Sequence, residues 1–224
     1  MGTINAINIA TGAASTVLTG NGVGVTPTFQ AIPASGDVTA AANLTDDFVI
    51  TGDGGAKGVQ TSTLKISAAG QTTNENQPAF LATGGAVNNV LGQSVTSYSL
   101  GTSAVMTEVY DIGNNFSVGS GAGTSATFTA PITGKYQISL MIQTNGYVAS
   151  TEGNIQIVTS NRTYIGPSGN VKSMQGTGSG LRLTSSFLCD MDNGDVAFFS
   201  AGCGGEAADI VDIIQSVVTG ILIC

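Results

Sequence analysis

The chain has 224 residues, 32 of them glycine; 9% are charged, 6% aromatic, none is His or Trp, and the formal net charge is −8. Ordinary soluble domains carry about 25% charged residues and about 7% Gly. The missing histidine excludes Ser-His-Asp and Cys-His catalysis and imidazole metal ligands, six Lys+Arg against that net charge argue against a sequence-independent grip on nucleic-acid phosphates, and no run reaches the ~18 apolar residues of a membrane helix.

Hydrophobic residues make up 42% of the chain, which sets it apart from disordered chains. Thr, Val and Ile are common and Glu, Lys and Arg scarce, so the expectation is all-β structure with many glycine turns. The N-terminus, MGTINAINIATGAAS, has neither a basic n-region nor an apolar h-region, so synthesis in a cytoplasm without a signal peptide is expected. Three cysteines, Cys189, Cys203 and Cys224, are too few for a disulfide framework. A Cys189–Cys203 pair is the minor alternative, because cytosolic disulfides are rare.

In chain order, residues 1–75 are rich in Gly, Thr, Ala and Asn, with only Phe29 and Phe48 as aromatics. Such a stretch cannot bury a core alone. Val17-Leu18-Thr19-Gly20-Asn21-Gly22 recurs as Val49-Ile50-Thr51-Gly52-Asp53-Gly54. Asn-Gly and Asp-Gly favour type I′ turns, so each copy reads as a small hairpin. The apolar residues of these units, Leu18, Phe29, Phe48 and Ile50, are the attachment candidates. Repeated β units of this kind gain stability by stacking or by winding around sister chains.

Residues 76–224 hold longer strand candidates. Ala79 to Ala82 is followed by Thr127 to Thr129, then by Lys135 to Gln143, where Tyr136, Ile138, Leu140 and Ile142 alternate with polar residues and Met141. That period of two is a strand signal. Asn154 to Thr159, Leu181 to Cys189 and Val196 to Ala201 follow, the last two joined by the turn Asp192-Asn193-Gly194-Asp195. Val217 to Ile223, including Ile221 and Ile223, is apolar on both faces, as a central strand would be. A helix over Ala207 to Ile223 is the competing reading, and β-branched crowding with Gly220 favours the strand. Exposed loops are expected around Gly84 to Asn89, Thr144 to Gly153 and Gly166 to Gly180.

Phe128-Thr129-Ala130-Pro131 followed by Gly134-Lys135-Tyr136 resembles the F-x-x-P-x-x-G-x-Y signature of the complement globular-head and tumour-necrosis-factor jelly roll. Pro78-Ala79-Phe80 resembles its opening strand, Asn193-Gly194-Asp195-Val196 its late hairpin and Thr219-Gly220-Ile221-Leu222 its closing strand. Ile138 and Val218 stand where the family prefers Phe. The resemblance implies a ten-stranded jelly-roll sandwich and a homotrimer about a three-fold axis. It makes Tyr136, Ile138, Leu140, Ile142, Ile221 and Ile223 core or trimer-strand candidates, with Met141 on the opposite, interface face. Leu44 to Ser62, and Val17 to Gly22 with Pro27-Thr28-Phe29, resemble segments that recur in tailed-bacteriophage fibre proteins.

Gly52 to Gly58 lacks the Gly-Lys-[Ser/Thr] ending of a phosphate loop and reads as a turn. Asp190, Asp192 and Asp195 are dense enough to be calcium candidates, with an Asx-stabilised hairpin turn as the favoured reading. Asp209 and Asp212 read as solvent-facing. No carboxylate pair stands out for glycoside hydrolysis, so no catalytic residue and no cofactor are expected. The resulting expectation is a non-enzymatic virion protein of a tailed phage. It is a trimeric capsid decoration or head fibre, or a small tail appendage, anchored by residues 1–75 to other virion proteins. A receptor-binding fibre tip that recognises host surface glycan is the alternative.

Overall fold

The structure is a computed structural model that describes residues 16–19, 28–31, 39–40, 48–52, 58–94, 96–176 and 180–224. It divides into two compact units, Met1–Thr73 and Asn74–Cys224. In the first, β1 (Thr16–Thr19) and β2 (Thr28–Ala31) form an antiparallel pair that places Leu18 opposite Phe29. A second sheet combines β3 (Thr39–Ala40), β4 (Phe48–Gly52), β5 (Gly58–Ile66) and β6 (Thr72–Asn74). Each copy of the repeat therefore leads into an antiparallel pair, β1 with β2 and β4 with β5. The turns at Asn21-Gly22 and Asp53-Gly54 lie outside the described residues. Lys65 Nζ sits 4.6 Å from the Phe48 ring centroid, and Ile50 is 41% exposed.

The second unit is a sandwich of two antiparallel sheets. Its strands are β7 (Ala79–Gly84), β8 (Val87–Leu91), β9 (Ser97–Ser99), β10 (Thr107–Ile112), β11 (Phe116–Ser117) and β12 (Thr127–Thr129). Then come β13 (Gly134–Asn145), β14 (Glu152–Thr159), β15 (Thr163–Gly169), the short helix α1 (Val171–Met174), β16 (Leu181–Met191), β17 (Val196–Gly204) and β18 (Val211–Leu222). The first sheet runs β10-β7-β18-β13-β16, with β8 beside β18; the second runs β11-β12-β17-β14-β15, with β9 beside β17. Five strands on each path make the ten-stranded jelly roll, and β8 and β9 are short additions. The C-terminal segment is a strand, not a helix, and β18 is central, between β7 and β13.

Alternation sets which side chains enter the core. Tyr136, Ile138, Leu140 and Ile142 of β13 are fully buried, facing Ile155 and Ile157 of β14 and Phe199 of β17 in one hydrophobic cluster. At its centre Phe80 stacks on Phe128 at 4.7 Å and on Phe116 at 4.8 Å between ring centroids. Phe128 meets Tyr136 edge-on at 5.3 Å. The Tyr136 hydroxyl donates to the Ile132 carbonyl at 2.7 Å, so the buried ring carries a satisfied polar tip.

Gly220 makes room for Phe80. A Cβ built at Gly220 would lie 2.3 Å from Phe80 Cε1, far inside van der Waals contact. Gly220→Ala is therefore expected to destabilise the fold by about 1–3 kcal/mol, the usual cost of overpacking. Urea unfolding measures this, and an unchanged midpoint contradicts the packing described.

Cys189 and Cys203 are both buried, unpaired, and on strands of different sheets, whereas Cys224 is exposed. Burial pushes the Cys189 thiol up to about 11 and raises that of Cys203. Since the thiolate is the reactive form, one thiol per native chain, that of Cys224, is expected to react rapidly with an alkylating reagent, and the other two only after unfolding. Rapid labelling of all three in the native protein contradicts this burial.

The expected loops are shorter than their composition suggests. Of Thr144 to Gly153, residues 144–145 end β13 and 152–153 begin β14, leaving a connection over 146–151 in which Tyr147 is buried. Gly166 lies inside β15, an edge strand, and α1 follows it. Gly84 to Asn89 spans the end of β7 and the start of β8.

Candidate assembly surface

The first sheet turns one face into the core and one outward. Register aligns the outward side chains in rows that cross the strands. One row holds Leu188, Gln137, Ile221 and Ala79; the next holds Ser186, Ser139, Thr219, Leu81 and Tyr110. A third holds Thr184, Met141, Val217, Thr83 and Thr107. None of these side chains is charged. Ionised groups flank the rows on β13 and β16. Lys135 pairs with Asp190 at one end, and Arg182 donates to Gln143 Oε1 at the other. The Asp190 hydrogen bond holds the Lys135 ammonium above its ordinary range.

Between those ends the face mixes hydroxyls with large apolar groups. Ser139 and Ser186 hydroxyls share a 2.6 Å hydrogen bond, and Gln137 Nε2 donates to the Ser186 hydroxyl. Leu188 is 53% exposed, Ile221 42% and Tyr110 45%. Neighbouring Val109 bulges from β10 at 58% exposure. Soluble monomers seldom leave contiguous apolar surface beyond a few hundred Å² in water. Three rows about 6.8 Å apart on five strands about 4.8 Å apart cover roughly 500 Å², a large part of the ~800 Å² that one partner gives up in a stable interface.

The sequence-derived residues divide between the two faces. Tyr136, Ile138, Leu140 and Ile142 are core. Met141, half-buried, and Ile221 are on the outward face. Ile223 lies past the end of β18 and is 54% exposed. The side chains of Leu18 and Phe29 lie outside the described burial, while Phe48 is half-buried.

The three aspartates of the hairpin make separate local contacts. Asp190 binds Lys135, and Asp195 Oδ2 accepts from the Asp192 N–H at 2.8 Å and from Asn161 Nδ2. This is a self-satisfied hairpin turn. Among the described residues, no group of three or more His, Cys, Asp or Glu side chains is placed to hold a metal. Asp209 and Asp212 are half-buried at the surface. They accept the Ser94 and Asn89 N–H groups, each at 2.8 Å, and so tie the β8 region to the β17–β18 connection and β18.

Sequence reasoning also passed over Glu206. It is 6% exposed, and its carboxylate accepts from the N–H groups of Val148, Ala149 and Ser150 at 2.8–3.1 Å. Desolvation raises its pKa, but the Ser150 hydroxyl and backbone N–H, with the Val148 and Ala149 N–H groups, outweigh that and hold the carboxyl below its ordinary range. Beside it Lys172 Nζ donates to the Tyr147 carbonyl, and the Tyr147 N–H donates to Gln175 Oε1. One end of the sandwich is thus a tied cluster of connections.

No protein-family model matches the chain, and no curated protein matches it. Among solved structures, the globular domain of zebrafish complement 1qA is 14% identical, with a TM-score of 0.41 over 66% of this chain and 98% of that one. Murine APRIL is 7% identical, with a TM-score of 0.40 over 65% and 99%. The PRD1 vertex protein P5 is 14% identical, with a TM-score of 0.38 over 66% and 97%. No helix among the described residues is long and apolar enough to cross a membrane.

Proposed function

We propose that the chain is a non-enzymatic structural protein of a phage virion. It assembles as a homotrimer through its C-terminal jelly roll and is fastened to other virion proteins by residues 1–75. The uncharged outward face of the first sheet carries this reading. A second copy of the same chain is its best occupant, because the face has neither the charge that selects a foreign charged partner nor a deep cleft. About a three-fold axis such a face packs heterologously, against the adjoining surface of the next copy, and three such contacts close the ring. The three-fold symmetry and the virion setting rest on the resemblances carried by Phe128 to Tyr136 and by Leu44 to Ser62. The sequence shows no heptad shaft, which favours a capsid decoration, head fibre or small tail appendage over a long tail fibre.

Two experiments test this. Sedimentation equilibrium of the purified chain should return three times its 22.3 kDa mass. Labelled trimer should bind emptied capsids. Adsorption of isolated trimer to host cells without capsid binding supports the receptor-binding fibre tip instead, which the cluster of tied loops at one end of the sandwich also fits.

A further inference from the structure

The outer face of the second sheet holds a trench that the assembly surface does not use. β17 is central there, and its outward positions include Gly202 and Gly204. The neighbouring strand β14 carries Glu152, Asn154 and Gln156 on that same face, in register with Gly204, Gly202 and Ser200. On the other side β9 places Ser97 beside Gly202 and Ser99 beside Ser200. Glycines in the middle strand thus form a floor between side-chain walls. The cavity measures about 340 Å³, within the ~300–1,000 Å³ of ligand sites. A second groove of about 490 Å³ begins on the far side of β9 and shares Ser97 with the first. Its walls add the hydroxyls of Thr102, Ser103 and Ser125.

The lining restricts the ligand. Among the described residues, neither groove is lined by a Lys or Arg, so phosphate, sulfate and sialate groups would find no counter-charge there. The buried Tyr98 and half-buried Val90 are, among the described residues, the large apolar groups in the walls, little for a lipid or an apolar peptide. What remains is planar amides, hydroxyls and one carboxylate. The Gln156 amide donates to Asn154 Oδ1 at 3.0 Å, which fixes both amide planes and leaves the Asn154 amino group and the Gln156 oxygen to a ligand. We infer that this double groove, centred on Ser97 with Asn154, Gln156 and Glu152 as its polar wall, binds a neutral oligosaccharide. The amides and Glu152 hydrogen-bond sugar hydroxyls in the trench, and the chain continues over β9 into the hydroxyl-lined groove.

The inference is independent of where the protein sits on a virion. Its failure leaves the assembly reading intact, because that reading uses the other sheet. The test is saturation-transfer NMR of the full chain with maltotriose, mannotriose and galactotriose, each at about 10 mM, well above a Kd of about 1 mM. Sialyllactose serves as the anionic control. At least one neutral trisaccharide should show transfer. Gly204→Val should fill the trench, where the three atoms nearest to an added Cβ are Oε1, Cγ and Cδ of the exposed Glu152 side chain, at 2.7–3.3 Å. It and Asn154→Ala should each weaken binding at least tenfold, with unchanged circular dichroism and sedimentation. Absence of transfer from all three neutral sugars overturns the inference. So does transfer that survives both variants, or transfer from sialyllactose alone.

Discussion

Phe80→Ala is expected to cost about 3–5 kcal/mol of stability, the range for removing a buried Phe from a packed core. Phe80 has no exposed surface and makes the closest ring contacts between the two sheets. It comes from β7 of the first sheet and stacks on Phe116 and Phe128 of the second. With 6% aromatics in the whole chain, no other cluster of rings replaces it. Gly220, which leaves space for this ring, cannot fill the resulting cavity. Urea unfolding at one fixed protein concentration measures the loss, since oligomer stability depends on concentration. A loss below about 1 kcal/mol contradicts the central role of the stack.

Glu206→Ala is expected to cost about 2–3 kcal/mol, because a buried donor left without its acceptor loses about 1–3 kcal/mol and this carboxylate serves three N–H groups. Glu206→Gln keeps the shape and isolates the charge. The folded pKa lies below the ordinary value of 4.5, so the ionised form is favoured by folding. The stability it contributes is fully present above about pH 4.5 and is lost as pH falls through the lower folded value. The stability gap between wild type and Glu206→Gln should therefore narrow on acidification from about pH 6 to about pH 3. A gap that widens over that window contradicts the hydrogen-bonded carboxylate.

Where side-chain alternation and turn chemistry agree, the sequence is sufficient. Lys135 to Gln143 alternates cleanly, and β13 buries the expected side. Phe128, Pro131, Gly134 and Tyr136 are spaced so that the chain turns and brings the two rings together. The turn at Asn193-Gly194 then meets that first turn, with hydrogen bonds from Gly194 N–H to the Ala130 carbonyl and from Ala130 N–H to the Asp195 carbonyl. Motif fragments far apart in the chain thus converge on one corner of the sandwich.

Other elements gave weaker signals for identifiable reasons. β15 contains Gly166-Pro167, which reads as a loop; Pro lacks a donor and is tolerated there because β15 is an edge. β10 hides its alternation behind the bulge at Val109. α1 is a single turn, too short for a helical period. The outward face of the first sheet was the least legible feature. Gln137, Ser139 and Gln143 look like a solvent side when β13 is read alone. Only long-range register shows that they join Leu188, Ile221, Leu81 and Val217 in a surface without charge. Glu206 gave no local signal either, because its three donors lie more than fifty residues away in the chain.

The central claim is that this face is buried between copies of the chain in a trimer, and sedimentation equilibrium of wild type beside Met141→Arg tests it most directly. Met141 lies outward on β13 and is dispensable to the core, so the variant should keep its fold while like charges meet at the interface. At about 10 μM, above the Kd of most standard-size interfaces, wild type should sediment as a trimer and Met141→Arg as a monomer with unchanged circular dichroism. A monomeric wild type, or a variant that remains trimeric, contradicts the account.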